Sequence, residues 1–233
     1  MNIIRVIDFE TSDMEPPAGR VIEVGICDLT EDGEWRIGDA DSWLCGQGVE
    51  MIAPGARAAH HISLADLAGT PPFDGIALNA AAIDAGVIVI AAHNAAYECE
   101  FLSPSLPVLC TWKAALRIWP AAPSHSNGAL RYWLEDQGLI APDHIKTMPA
   151  HRAGPDAYVT AHILKALLKH ATGREMVAWT KEPALLPHCP IGKFKGKPWA
   201  DVEAGFLGWM LRQPDMEADL KWNADRELKR RGQ

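Results

Sequence analysis

Apolar positions along the chain switch between two periods. Residues 3–9 form an apolar run of strand length, 21–26 form a second, and 35–44 supply a third after the turn signal Glu31-Asp32-Gly33. Three strands in succession predict a meander. Ser63-Leu64-Ala65-Asp66 has the S-x-x-D form of a helix start, and residues 73–84 follow Pro71-Pro72 as a second helical stretch. Residues 87–90 are a continuous apolar run, the pattern of a strand buried on both faces. Further helices are predicted over 95–103, 111–118, 126–137 and 155–171; in the last, Val159, Ile163, Ala166, Leu167 and His170 share one face. A meander followed by strand–helix alternation predicts an α/β chain with a mixed sheet.

Composition narrows the class. The chain has 233 residues, enough for one mid-sized domain with a small appendage. No apolar run approaches the ~18–20 positions of a bilayer span, so a soluble protein without membrane contact is expected. The start of the chain lacks the basic, apolar and small-residue regions of a secretory signal, so the expected compartment is the cytoplasm. Five cysteines without a CxxC pair fit reduced, mostly buried thiols, and His188-Cys189 lacks a second pair of soft ligands for zinc. The formal charge is −8, which argues against a protein that coats nucleic acid. That charge is unevenly spread: residues 185–233 carry about +2 and the remainder about −10. Pro183, Pro187 and Pro190 mark a linker, so a boundary is expected near 183, dividing residues 1–182 from 183–233.

Three polar clusters carry candidate chemistry. Asp8 and Glu10 end the first strand; residues i and i+2 share a side, at the sheet edge where α/β folds place ligands. Two carboxylates there can ligate a hard cation such as Mg²⁺. His93-Asn94-Ala95-Ala96-Tyr97-Glu98 follows the buried run 87–90 and brings another carboxylate to the same edge, with Asn94 able to cap the helix. His151-Arg152-Ala153-Gly154-Pro155-Asp156 reads as a loop and a helix start with Pro155 at the first position and Asp156 in the first turn. A loop histidine beside that carboxylate can act as a general base, since a free imidazole titrates near neutrality.

In this order and spacing, the three clusters resemble the DEDDh (DnaQ-like) 3′→5′ exonucleases, relatives of polymerase proofreading subunits and of RNase T. The resemblance covers roughly residues 1–175 and is supported by His61-Ile62 before the first helix, Cys110-Thr111 after a strand, and the S-N-x-A-L-x-x-W-L pattern from Ser126. It implies an RNase H-like fold with a mixed five-stranded sheet flanked by helices, plus a small C-terminal module. It also implies two Mg²⁺ (or Mn²⁺) ions, with Asp8 bridging both, Glu10 and Asp156 holding the first, Glu98 near the second and His151 as base toward water. Phe9, Thr11, His61, Ile62, Asn94 and Tyr97 stand where relatives contact the terminal nucleotides, with stacking open to Phe9, Ile62 and Tyr97. The implied substrate is single-stranded DNA or a DNA 3′ end, with RNA as the alternative and a homodimer or a polymerase or repair partner open.

Two features refine this. The family's second motif ends in Asp where this chain has Glu98, whose extra methylene carries the carboxylate about 1.5 Å further from the backbone; a weakly active nucleic-acid-binding protein is therefore a further alternative. The tail, with Lys193, Lys195 and Lys197 around Gly196 and then Gly205-Phe206-Leu207 and Trp209, resembles the C-terminal module of the exodeoxyribonuclease X branch. The lysines suit an extended hairpin facing phosphates, and Trp209 and Leu211 are expected to pack the module.

Overall fold

The computed structural model describes residues 2–14, 16 and 18–233. Strands β1 (Asn2–Thr11), β2 (Val21–Asp32) and β3 (Glu34–Leu44) form the expected antiparallel meander, and Gly33 turns between the last two with φ +79°. Strands β4 (Val87–Ala92) and β5 (Val108–Cys110) run parallel to β1, giving one mixed five-stranded sheet in the order β3-β2-β1-β4-β5. This is the RNase H-like architecture. β1 is central and apolar on both faces: Ile4 and Val6 enter one core cluster, Ile7 and Phe9 the other. Arg5 is buried within that run because Asp28, directly across on β2, accepts two hydrogen bonds of 2.8 Å from its guanidinium.

Helices fill the two layers. The Ile4/Val6 face is covered by α4 (Thr111–Ile118), α5 (Asn127–Asp136), α6 (Ala153–Leu167) and α7 (Gly173–Lys181). The opposite face carries α2 (Gly75–Asp84), capped by Asp74, and Phe101 and Leu102 at the end of α3 (Ala96–Phe101). After α7 come a two-residue-per-strand hairpin of β6 (His188–Cys189) and β7 (Lys197–Pro198), then α8 (Ala204–Arg212) and α9 (Ala218–Arg230). These enclose their own apolar cluster of Cys189, Trp199, Val202, Leu207, Met210, Leu220 and Ala224. No helix among the described residues is long and apolar enough to cross a membrane.

Several expectations need correction. The first helix is α1 (Pro54–His60), so His61-Ile62 follows it instead of preceding it. Ser63 and Asp66 do bond to each other, at 2.7 and 2.8 Å, but close only turns over 64–69, before Gly69 and the Pro pair. β4 is not buried on both faces: Ile88 is 45% exposed, in an open apolar recess with Trp35 and Val177. Helix α6 starts at Ala153, two residues early, so Pro155 is its third residue, and His170 lies beyond its end. All five cysteines are free thiols; Cys99 is exposed and the other four are buried.

Candidate active site

Alternation along β1 sends Asp8 and Glu10 to the same face as Ile4 and Val6, the face that α6 covers. Helix α6 supplies Asp156 from its first turn. Oxygens of Asp8, Glu10 and Asp156 lie within 4.8 Å of one another, a grouping suited to a cation.

Three residues that the sequence pattern did not single out hold this geometry. Gly25 pairs with Asp8 across β1 and β2, and a Cβ there would lie 2.1 Å from the carbonyl carbon and oxygen of Ala153. The N-terminus of α6 therefore rests directly on the β2 backbone, which only glycine permits. Glu23, 2% exposed, accepts hydrogen bonds from Arg152 Nε and Nη2 at 2.8 and 2.7 Å and from the Ala153 N–H at 3.1 Å. A buried carboxylate thus meets a bidentate guanidinium and the positive end of a helix, and together they clip α6 to the sheet. A glycine and a glutamate inside the apolar run V-I-E-V-G-I were the available sequence signals.

The carboxylates repel one another. Burial, then Asp156 and Glu98, push Asp8 well above the usual carboxylate range. Burial, then Asp156 and Glu23, raise Glu10 to about 8, against the pull of Arg152. Asp156 is raised chiefly by burial, although the His151 side chain and the His151 N–H, 3.1 Å from Oδ2, draw it down. Glu98 is buried and raised to about 8, mostly by desolvation, with Glu10 adding to it. Its Oε2 has no hydrogen-bond partner, and it stands outside the three-carboxylate group. Clustered acids that raise one another's proton affinity, beside an orphaned buried oxygen, are the chemistry of a site that takes cations.

Among the described residues, three non-glycine residues have positive φ: His61 (61°), Asn94 (65°) and His151 (58°). Asn94 and His151 belong to the polar clusters legible in the sequence, and His61 to the His61-Ile62 pair that supports the resemblance. Left-handed backbone at such residues costs about 1–3 kcal/mol each and tends to collect at functional sites. His151 is exposed on its loop. Asn94 does not cap α3; the N-cap position is Ala95, with no side-chain cap. A cleft of about 330 Å³ runs between His60, His61 and Asp66 on one side and Pro149, Ala150 and Arg152 on the other. Tyr97 is hydrogen-bonded to the Thr11 hydroxyl and stacks edge-on against Phe101. Phe9 and Ile62 are buried, Phe9 against Phe73 and Ile62 among Ile22, Ile52 and Leu67, so neither offers a face for stacking. His93 is structural: Nε2–H donates to the His125 carbonyl (2.8 Å), Nδ1 accepts from Thr111 Oγ1 (3.0 Å), and burial lowers its imidazole to about 4.

Lys193, Lys195 and Lys197 are exposed, but not on an extended ribbon. Lys193 sits on a 3₁₀ turn, Gly192–Phe194, and pairs with Glu203 at 2.9 Å, while only two residue pairs form the ladder. Leu211 packs the module; Trp209 is 41% exposed.

No protein-family profile matches the chain, and no curated protein matches it. Solved structures do. Exonuclease X in complex with 5′-overhanging duplex DNA is 26% identical, with a TM-score of 0.60 over 76% of this chain and 99% of that one. The zinc-bound form of the E. coli ExoI–single-stranded DNA complex is 15% identical, with a TM-score of 0.54 over 77% of this chain and 42% of that one. Cell-death related nuclease 4 is 14% identical, with a TM-score of 0.54 over 72% of this chain and 64% of that one. The chain thus has the fold of the exonucleases, and two of these three neighbours are held with DNA. It spans nearly all of the exonuclease X chain but less than half of the ExoI chain.

Proposed function

We propose that this chain is a metal-dependent 3′→5′ exonuclease of the DEDDh type that removes nucleoside 5′-monophosphates from DNA ends. The observation that carries the reading is the meeting of Asp8, Glu10 and Asp156 within 4.8 Å at the carboxyl edge of the sheet, beside an exposed loop histidine. Asp8, Glu10 and Asp156 would hold a divalent cation, Mg²⁺ or Mn²⁺, and Glu98 would serve a second. When bound, such cations supply charge neutralisation at the phosphate and lower the pKa of water. His151 takes the proton from the attacking water, and its backbone N–H, held by Asp156 Oδ2, fixes the loop that carries it. Backbone N–H groups around Phe9, Glu10 and Thr11 would hold the terminal 3′-OH, with the buried Thr11 hydroxyl fixed by Tyr97 and the Asp13 carbonyl, and Asn94 and His61 would line the approach. Residues 183–233 act as a separate module with its own apolar cluster, and the protein works in the cytoplasm, on single strands or frayed ends.

The experiment follows mononucleotide release by chromatography from single-stranded DNA and RNA of one sequence, with Mg²⁺ or Mn²⁺ and with Asp156→Asn as control. Release of deoxynucleoside monophosphates that Asp156→Asn abolishes supports the reading. Faster release from RNA makes the chain an exoribonuclease, and release from neither refutes it.

The unpartnered, buried Glu98 favours a second reading, a chain that binds nucleic acid and turns it over slowly. On that reading Glu98→Asp, which restores the family's shorter acid, raises the rate in Mg²⁺. A sharp loss shows instead a site built around the longer side chain.

A further inference from the structure

The C-terminal module leaves one large ring at its surface: Trp209 is 41% exposed, while Phe194 and Phe206 beside it are half-buried against the module's apolar cluster. Phe206 and Trp209 stand three residues apart on α8; Leu207 and Met210 are buried in the module's cluster, Phe206 is half-buried against it, and Trp209, turned furthest from Leu207, is the ring left at the surface. Phe194, from the 3₁₀ turn, lies 5.0 Å from Phe206 between ring centroids, and Phe206 lies 5.1 Å from Trp209. The turn seats against this row because Gly192 (φ +61°) has no Cβ, which would stand 3.0 Å from Phe206 Cζ. The result is a three-ring ladder ending in an indole that is 41% exposed.

Cationic side chains stand on the same segments as the ladder, Lys193 among them although Glu203 pairs with it. Lys193 Nζ lies 4.9 Å from the Phe194 ring centroid, and Arg212 follows Trp209 by three residues on α8. Lys195, Lys197 and Arg212 are exposed and form no ion pair among the described residues.

We propose that the ladder Phe194–Phe206–Trp209, with Lys195, Lys197 and Arg212 at its rim, is a non-catalytic binding surface for single-stranded DNA. Bases of any identity stack on the exposed Trp209 indole, which the half-buried Phe206 and Phe194 rings back, and the ammonium and guanidinium groups contact phosphates. The surface holds the strand upstream of the end being cut, which retains substrate between cleavages on a protein whose overall charge is −8. The choice of DNA as the polymer rests on the nuclease reading; the ladder and its charge do not.

The test uses the full chain and a 5′-fluorescein-labelled 20-mer of thymidylate, with affinity read by fluorescence anisotropy in EDTA so that no strand is cut. Trp209→Gln should weaken binding about 5- to 150-fold, the range for loss of one stacked base, and Trp209→Phe should retain most of the affinity. The double variant Lys195→Glu/Lys197→Glu, at exposed positions that leave the core intact, should lower the slope of log affinity against log salt by about 1.4, or 0.7 per lost phosphate contact. The proposal is overturned if Trp209→Gln binds the 20-mer as the wild type does, or if the double variant leaves the salt slope unchanged. It is overturned equally if Trp209→Phe is as weak as Trp209→Gln, or if the protein binds phosphatidylserine vesicles through Trp209 and not the 20-mer. Adding Mg²⁺ separates the two claims: a bound but uncut 20-mer defeats the nuclease reading alone, while shortening by a chain whose Trp209→Gln variant binds normally defeats this one alone.

Discussion

The carboxylate cluster destabilises the metal-free fold, and Glu10→Gln should reveal by how much. Glu10 is raised from an ordinary 4.5 to about 8 by burial and by Asp156 and Glu23. The folded state therefore keeps its proton to a higher pH than the unfolded state does. Stability contributed at this position is present below about pH 4.5 and is lost as pH rises toward 8. A tenfold change in proton affinity corresponds to about 1.4 kcal/mol, so the rise at Glu10 amounts to about 5 kcal/mol if undiminished. Glu10 is half-buried and tied to neighbouring acids, so screening reduces this to about 1–2 kcal/mol. Glutamine cannot ionise, so in EDTA at about pH 9 the variant should melt about 2–8 °C above the wild type, at 2–4 °C per kcal/mol for a chain of this size. At about pH 4, where the carboxyl is mostly protonated in both the folded and the unfolded chain, the gap should close. Mn²⁺ should then reverse the order by binding the wild type and not the variant. Calorimetric melting over that pH range measures all three effects. No gain at pH 9, or the same gain at both pH values, refutes the electrostatic account of the cluster.

Other expectations follow from the supports of the site. Gly25→Ala forces a Cβ into the Ala153 carbonyl and should destabilise the fold by about 1–3 kcal/mol while weakening Mn²⁺ binding, read by denaturation and titration calorimetry; unchanged Mn²⁺ affinity would remove Gly25 from the site. Arg152→Ala strands the buried Glu23 and should cost about 2–3 kcal/mol in urea unfolding, below the full range for a buried pair because Arg152 is itself 34% exposed. His151→Ala should lower the turnover rate about 10²–10⁴-fold with metal binding intact, and near-normal turnover would remove it from the mechanism.

The sheet was legible because its signals are local. The meander shows as three apolar runs with one turn, and α4 runs over 111–118 as its pattern implies. Helix α1 was missed because its residues P-G-A-R-A-A-H have no apolar stripe; only Pro at its first position announced it. Asp8, Glu10 and Asp156 could be read from residue type and order, yet what brings Asp156 to β1 is non-local. The contact of Gly25 with Ala153 and the pairing of Glu23 with Arg152 join positions more than 120 residues apart, and no spacing rule reveals such a pair. Phe9 and Ile62 show the opposite error: apolar residues beside a polar motif suggest stacking, while burial assigns both to packing. Trp209 errs the other way, since an indole at core spacing on α8 faces outward.

The most direct test of the central claim is the fate of a 5′-end-labelled single-stranded DNA incubated with the protein and Mg²⁺ or Mn²⁺, beside an Asp8→Ala control. A metal-dependent 3′→5′ exonuclease yields a ladder of labelled strands shortened one nucleotide at a time, absent in EDTA and absent with Asp8→Ala. A full-length label, immediate release of a labelled mononucleotide, or a ladder that Asp8→Ala leaves unchanged would contradict the account.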